Sequence, residues 1–361
     1  MLALKYRPTR FKDIVGQKHI STVLYRIVVR ALNEDDFRLP SAFIFAGGHG
    51  RGKTTTARIL GAALNCESRT GEPCGECRTC KAVFNAQSSI VLEINSAVQG
   101  QVEHIRNLLQ QLRYASSGVH QVVILDECHS ITAAGFNALL KALEEGVDNT
   151  TFVLVTTDPQ KIPITIQSRS MPFEFVPIKP EDVTSRLEYV LRSEGIRFDQ
   201  FVLREIVRES RGALRDAIVL CDQLNSGFGE VTIDGFRQLF GTDTDVLFGE
   251  LVNAMVDFDV EAMDIAIDNL VGRLSDVGRI IVRWIDFEFS LLKGDAKNLL
   301  TYPQDETEIL KRIELLWFLS DKVRAYGFGG RQFLRLAVVF MSARMTGRIL
   351  SEEEAFALLI N

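Results

Sequence analysis

The chain has 361 residues, 46% of them hydrophobic and 24% charged. These are ordinary globular proportions, which exclude a disordered or fibrous chain, and the length suits about two or three domains. Lys and Arg number 41 against 47 Asp and Glu, for a net charge of −6. Taken whole, that charge speaks against a freestanding basic nucleic-acid binder. No long apolar run predicts a transmembrane helix, and Met1–Pro8 lacks a signal-peptide core. A cytoplasmic chain is expected, its six cysteines reduced.

The first half alternates strand and helix signals. Ala42–Ala46 is a short apolar run, followed by a glycine-rich turn and a helical pattern over Lys53–Leu64. Ser89–Ile94, Gln121–Leu125 and Thr151–Thr156 read as buried strands, with helices over Val102–Leu112 and Ala134–Leu143. Such alternation predicts an α/β module with a parallel sheet. Beyond Val176–Pro180 the pattern turns helical, over Glu181–Ser193, Phe198–Glu209, Ala213–Asn225 and a long tract after them. Boundaries are placed near 178 and 241.

Gly47-Gly48-His49-Gly50-Arg51-Gly52-Lys53-Thr54 fits the phosphate-loop pattern GxxxxGK[ST], between a strand and a helix as that motif requires. Its backbone N–H groups curl around a β-phosphate, Lys53 neutralises β/γ oxygens, and the Thr54 hydroxyl reaches Mg²⁺. The strand over Val122–Leu125 ends in Asp126 and Glu127. Asp126 suits the Mg²⁺ water shell, and Glu127 suits polarisation of an attacking water. Asp126-Glu127-Cys128-His129 also spells a helicase box, but no second phosphate-handling signature follows.

Cys66, Cys74, Cys77 and Cys80 supply four soft ligands, with turns at Gly71, Pro73 and Gly75. The two CxxC spacings suit a tetrahedral structural Zn²⁺. A redox CxxC pair and an iron–sulfur cluster remain open on the same residues.

At this point the residues resemble a family, the bacterial DNA polymerase III gamma/tau subunits, AAA+ motors of sliding-clamp loaders. Matching segments are Lys5–Pro8 with Phe11–Gln17, the phosphate loop, the cysteine insert, Phe136–Glu145 and Thr156–Lys161. The resemblance implies an α/β AAA+ P-loop module, its parallel sheet covered by helices on both faces. That module carries a zinc insert and is followed by a small helical lid and an all-α collar. The implied domains are 1–178 (nucleotide binding, with zinc at 66–80), 179–241 (lid) and 242–361 (collar). The likeness is to the short form, without the long form's C-terminal extension.

The resemblance also implies roles. Thr157 looks like the γ-phosphate sensor. Arg169, within Ser168-Arg169-Ser170, looks like a finger reaching the neighbouring subunit's ATP. Arg215 looks like a second sensor in cis. Tyr6, Val15 and Gly16 are implied to pack on the adenine, Arg7 to bind the nucleotide, and Gly47 through Thr55, including Thr55 itself, to hold the phosphates. Implied cofactors are ATP, Mg²⁺ on Thr54 and Asp126, and structural Zn²⁺. Implied partners are other clamp-loader subunits in a ring of about five, the sliding clamp and primer–template DNA, with no membrane and a nucleoid-associated location.

Several positions depart from the family pattern. Ser170 replaces a cysteine, Gly146 replaces a proline, and Gln99 and Gln101 stand where basic residues are usual, leaving Arg106 in that stretch. The charge also divides unevenly. Residues 1–178 carry 19 Lys and Arg against 16 Asp and Glu, and residues 179–361 carry 22 against 31. The acidity therefore sits in the helical part, and weak DNA binding by the lone chain, with modest salt dependence, is expected.

Overall fold

The computed structural model describes residues 1–114, 119–240, 244–274, 277–294, 299–301, 305–326 and 331–346. It divides into two units, Met1–Ile233 and Asp234–Asn361. The boundary expected near 241, and parts of the tract 242–361, lie outside the described residues.

The first unit opens with α1 (Leu2–Lys5) and α2 (Lys18–Asn33), then β1 (Ala42–Ala46), α3 (Lys53–Leu64) and α4 (Arg78–Phe84). It continues with β2 (Val91–Asn95), α5 (Ser96–Gln99), α6 (Val102–Tyr114), β3 (Gln121–Asp126), α7 (Ala133–Glu145) and β4 (Thr150–Thr156). Next come α8 (Ile164–Gln167), β5 (Met171–Glu174), α9 (Pro180–Ser193), α10 (Gln200–Ser210) and α11 (Leu214–Phe228).

The five strands form one parallel sheet in the order β2-β3-β4-β1-β5. Alternate strand residues feed two apolar layers. Phe43, Phe45, Val122, Ile124, Val153 and Val155 pack with α2 and α3. Ala42, Ile44, Val123, Leu125, Phe152 and Leu154 pack with α6 and α7. A sheet covered on both faces needs continuous apolar strands, which is why these segments read as unbroken runs. The α/β reading with helices on both faces thus holds.

β5 had no sequence prediction. Its four residues include Pro172, which cannot donate to a ladder and is tolerated at the sheet edge, where β5 lies. Gly146, at φ +78°, ends α7 with no heavy atom within 4 Å of a Cβ there. Glycine takes this positive-φ backbone without strain, whereas a proline, its φ fixed at about −65°, could not adopt it.

α12 (Ile233–Phe240) begins at the boundary. The second unit is built from α13 (Thr244–Asp257), α14 (Val260–Leu274), α15 (Val277–Lys293), α16 (Glu306–Tyr326) and α17 (Arg331–Thr346). Its core holds Phe248, Trp284, Phe287, Leu316 and Val338. Inside that core the Glu288 carboxylate accepts from Arg312 at 2.8 Å and from Trp284 Nε1 at 2.9 Å. Both charges are buried, so the pair joins α15 to α16 in one register, and removing either partner leaves an uncompensated charge.

Candidate functional site

The carboxyl ends of β1, β3 and β4 converge, because Ala46 pairs with Thr156 and Leu125 with Leu154. In an open parallel sheet this is the edge where ligands bind. A cleft of about 410 Å³ opens there, lined by residues of the phosphate loop, α1, α3, β2, β3 and α11.

The loop after β1 is shaped by its glycines. Gly47 has φ +142°, and a Cβ there would lie 2.3 Å from the Phe175 carbonyl oxygen. Gly50 has φ +68° and would press a Cβ to 2.9 Å from Ala213. No side chain other than hydrogen fits either place without shifting backbone. Lys53 Nζ donates to the Gly47 and Gly48 carbonyls at 2.6 and 2.8 Å. Burial lowers the Lys53 pKa, against the raising pull of Glu127 and Asp126.

Thr54 donates its hydroxyl to Asp126 Oδ2 at 3.0 Å, and the Glu127 N–H donates to Oδ1 at 3.0 Å. Burial raises the Asp126 pKa, partly offset by those two bonds. A hydroxyl and a carboxylate side by side in a partly buried cleft are oxygen donors of the kind Mg²⁺ takes. These two residues therefore fit that ion.

Glu127 has φ +50° and ψ +43°, a left-handed conformation that is uncommon for a residue with a Cβ. Its Oε2 accepts from the Thr157 hydroxyl at 3.4 Å and lies 3.3 Å from His129 Nδ1. Its Oε1 lies 3.7 Å from His49 Nδ1. His129 Nδ1 also meets the Thr156 hydroxyl at 3.1 Å. The structure thus brings the Thr157 hydroxyl to Glu127 and sets His129 beside the same carboxylate.

Arg7 donates to the Thr55 hydroxyl at 3.0 Å. Burial first, and then the nearby Arg58, pulls its pKa down to about 10, so it stays cationic at neutral pH. Arg215 lines the cleft, and its N–H donates to the Gly50 carbonyl at 3.5 Å. His49, Gly50, Arg51 and Gly52 line it as well. Pro8, Ile14, Val15, Ile178, Leu214 and Ile218 make an apolar end suited to a base. Tyr6 lines the cleft and donates its hydroxyl to Glu194, the residue that follows α9, while Lys5 pairs with the same carboxylate at 2.6 Å. Gly16 stands behind that wall, where a Cβ would meet Ile178 at 2.7 Å.

Arg169 lies away from this cleft. Its guanidinium is 41% exposed and pairs with Glu144 at 2.9 Å, with a further bond to the Thr165 carbonyl at 3.0 Å.

Sequence reasoning missed Arg58 and Glu93. Arg58 donates to Glu93 at 2.5 and 2.8 Å, and both line the cleft. Arg58 stands four residues after Thr54 on α3, so helical spacing places it on the same face. Glu93 is on the strand next to β3, which only the sheet order reveals.

The four cysteines form one cluster, with all sulfurs within 4.8 Å of one another. Cys66 and Cys80 sulfurs are 3.7 Å apart, and Cys74 and Cys80 sulfurs 4.0 Å. Four thiolates around one ion at about 2.3 Å would stand about 3.8 Å apart. The N–H groups of Glu76 and Cys77 donate to Cys74 Sγ at 3.4 and 3.3 Å, and that of Cys80 to Cys77 Sγ at 3.4 Å. The two N–H bonds from Cys77 and Glu76 bring the Cys74 pKa down to about 6, whereas burial raises that of Cys80. The donor set, four sulfurs gathered around one point, fits one tetrahedral ion.

The parallel sheet, phosphate loop and acidic strand end define a P-loop nucleotide-binding module of the AAA+ type. The Thermotoga maritima RuvB Holliday junction branch migration motor shares this fold, with a TM-score of 0.50 at 15% identity over 74% of this chain and 86% of that one. Residues 21–179 match the family described as DNA polymerase III, delta subunit. Residues 182–225 match the DNA polymerase III clamp loader subunit, ATPase lid domain. The gamma subunit of Buchnera aphidicola is 33% identical over 296 residues, 81% of this chain and 78% of that protein. The tau subunit of Escherichia coli is 37% identical over 276 residues, 76% of this chain and 42% of tau. The chain therefore belongs to the DNA polymerase III gamma/tau subunit family, and it spans less than half the length of the Escherichia coli tau subunit.

Proposed function

We infer that this chain is an ATP-hydrolysing motor subunit of a clamp loader, which places a ring-shaped sliding clamp on primer–template DNA during replication. The observation that carries this reading is the meeting of Lys53, Thr54, Asp126, Glu127 and Thr157 at one strand edge. A scaffold subunit that binds nucleotide without hydrolysing it has no use for Glu127.

Bound Mg²⁺ would supply positive charge to offset that developing on the phosphoryl group. Thr54 and Asp126 would hold that ion. Lys53 leaves its two loop carbonyls and meets phosphate oxygens. Glu127 accepts a proton from water aimed at the γ-phosphate, while Thr157 fixes its carboxylate. Residues 179–241 act as a lid carrying Arg215 to the phosphates, and 242–361 as a collar joining subunits.

Arg169 is proposed to complete a neighbour's site, because it is exposed and stands outside its own cleft. An arginine finger contributes about 10³–10⁵-fold in related phosphoryl transfers. Arg169→Ala is expected to keep ATP affinity within about threefold and to lose at least about 100-fold of DNA-stimulated turnover. ATPase assays with partner subunits, clamp and primed DNA check this, with the unmodified chain alongside. An unmodified assembly that neither ligand stimulates would refute the loader reading. An unchanged Arg169→Ala rate would refute the finger alone.

The four thiolates are proposed to hold one structural Zn²⁺, since four protein ligands leave no open position. Elemental analysis should find one zinc per chain. Removing it with a strong chelator should unfold residues 66–80 and lower the melting temperature by several degrees. Metal-free protein with an unchanged melting curve would overturn this.

A further inference from the structure

The cysteine insert has no direct place at the nucleotide cleft, yet it contacts the segment that leads into the cleft wall. We propose that Glu72, inside the insert, is a positioning residue for nucleotide binding, acting through the turn at Phe11–Asp13. The proposal rests on the nucleotide reading above.

That short turn has no side-chain cap of its own. Its free amides are instead taken by Glu72, whose Oε2 accepts from the Phe11 N–H at 2.8 Å and whose Oε1 accepts from the Lys12 N–H at 3.3 Å. A carboxylate on unpaired amides makes charge-assisted bonds, stronger than neutral ones. Next to them, Arg10 Nη2 donates to the Cys74 carbonyl at 3.2 Å. Two side chains, one from each side, thus join the insert to residues 10–12.

The insert itself is seated firmly. Gly71 has φ +86°, and a Cβ there would stand 2.5 Å from Val29 and 2.9 Å from Tyr25, both on α2. Arg69 Nη2 donates to the Leu32 carbonyl at 3.0 Å. Glu72 therefore presents its carboxylate from a loop held between the thiolate cluster and α2.

From the turn the chain runs directly to the cleft. Phe11 is 2% exposed and Ile14 8%. Ile14 and Val15 line the apolar end, and Arg7 and Pro8 line it from the other side of the turn. With Phe11 and Ile14 both anchored, little slack separates the capped amides from the wall. Uncapping them lets the turn fray and loosens the wall against which a base packs. Because the four thiolates shape the loop that carries Glu72, metal loading and nucleotide affinity become coupled, each favouring the other.

The test uses the full chain with Glu72→Ala and Glu72→Gln. Three quantities are read: amide hydrogen exchange over residues 8–17 without nucleotide, affinity for a fluorescent ATP analogue with Mg²⁺, and bound metal per chain. Glu72→Ala is expected to speed exchange at Phe11 and Lys12 and to weaken nucleotide binding about tenfold, with metal content unchanged. Glu72→Gln keeps one acceptor oxygen for the Phe11 N–H, and it should recover most of the affinity. A purely structural role would not separate affinity from metal content in this way.

If Glu72→Ala fails to fold, Arg10→Ala breaks the second link while leaving the carboxylate in place, and a smaller loss in the same readouts is expected. Unchanged exchange at Phe11 and Lys12 overturns the proposal, as does faster exchange with unchanged affinity. If the unmodified chain binds ATP and Glu72→Ala binds it equally well, only this proposal falls. If the unmodified chain binds no ATP, the nucleotide reading falls as well.

Discussion

Lys53→Ala is expected to weaken ATP binding at least about 100-fold. The ammonium is held between the Gly47 and Gly48 carbonyls at 2.6 and 2.8 Å, poised over the space the loop encloses. A polyphosphate offers it anionic acceptors in place of neutral ones. Each hydrogen bond to a charged group is worth about 1.5–3 kcal/mol. Two such bonds correspond to about 100-fold in affinity or more. Alanine keeps helix propensity at the start of α3, so the fold should survive the change. Calorimetric titration with Mg-ATP measures the loss, and a melting curve checks folding. Affinity within about threefold of the unmodified chain, in a folded variant, would remove the phosphate-loop assignment.

The second large effect is expected from Glu127→Gln. A positioned general base contributes about 10²–10⁴-fold, and glutamine has nearly the same shape but almost no basicity. Hydrolysis should fall by that factor while nucleotide affinity changes less than about threefold. The side-chain amide can still accept from the Thr157 hydroxyl, 3.4 Å away in the native site. The left-handed backbone at residue 127 remains as before, so the test isolates the carboxylate. Single-turnover hydrolysis separates the chemical step from product release. A turnover rate within about threefold of the unmodified chain would mean that another group activates the water.

Much of the nucleotide module was legible in the sequence because its signals are local. The apolar run Ala42–Ala46 and the helix Lys53–Leu64 match the observed elements at both ends. Glycines between them carry the positive φ values that a loop curled toward phosphate demands. The strand expected over Gln121–Leu125 extends one residue further, to Asp126. The cysteine spacing placed four thiols on turns short enough to meet, and they do.

What escaped the sequence is what depends on partners distant along the chain. Arg58 and Glu93 are 35 residues apart, and no periodicity joins them; the packing of α3 against β2 does. His129 reads as part of a helicase box until β4 brings Thr156 to its ring. Tyr6 looks like an adenine contact from its motif, yet its hydroxyl goes to Glu194, 188 residues away. Edge strand β5 carries a proline and only four residues, too few for alternation to register.

The sequence by itself therefore determined the class of chemistry: a phosphate loop, an acidic strand end and a tetrathiolate cluster, each encoded within a few consecutive residues. Only the tertiary structure decided which other groups share the cleft, and that Glu72 of the insert caps the turn leading to its wall. The reason is physical. Backbone conformation at a glycine loop or a CxxC turn is set by steric and hydrogen-bond rules acting over a few residues. Contacts between remote segments are instead set by strand order and by which apolar faces are buried together.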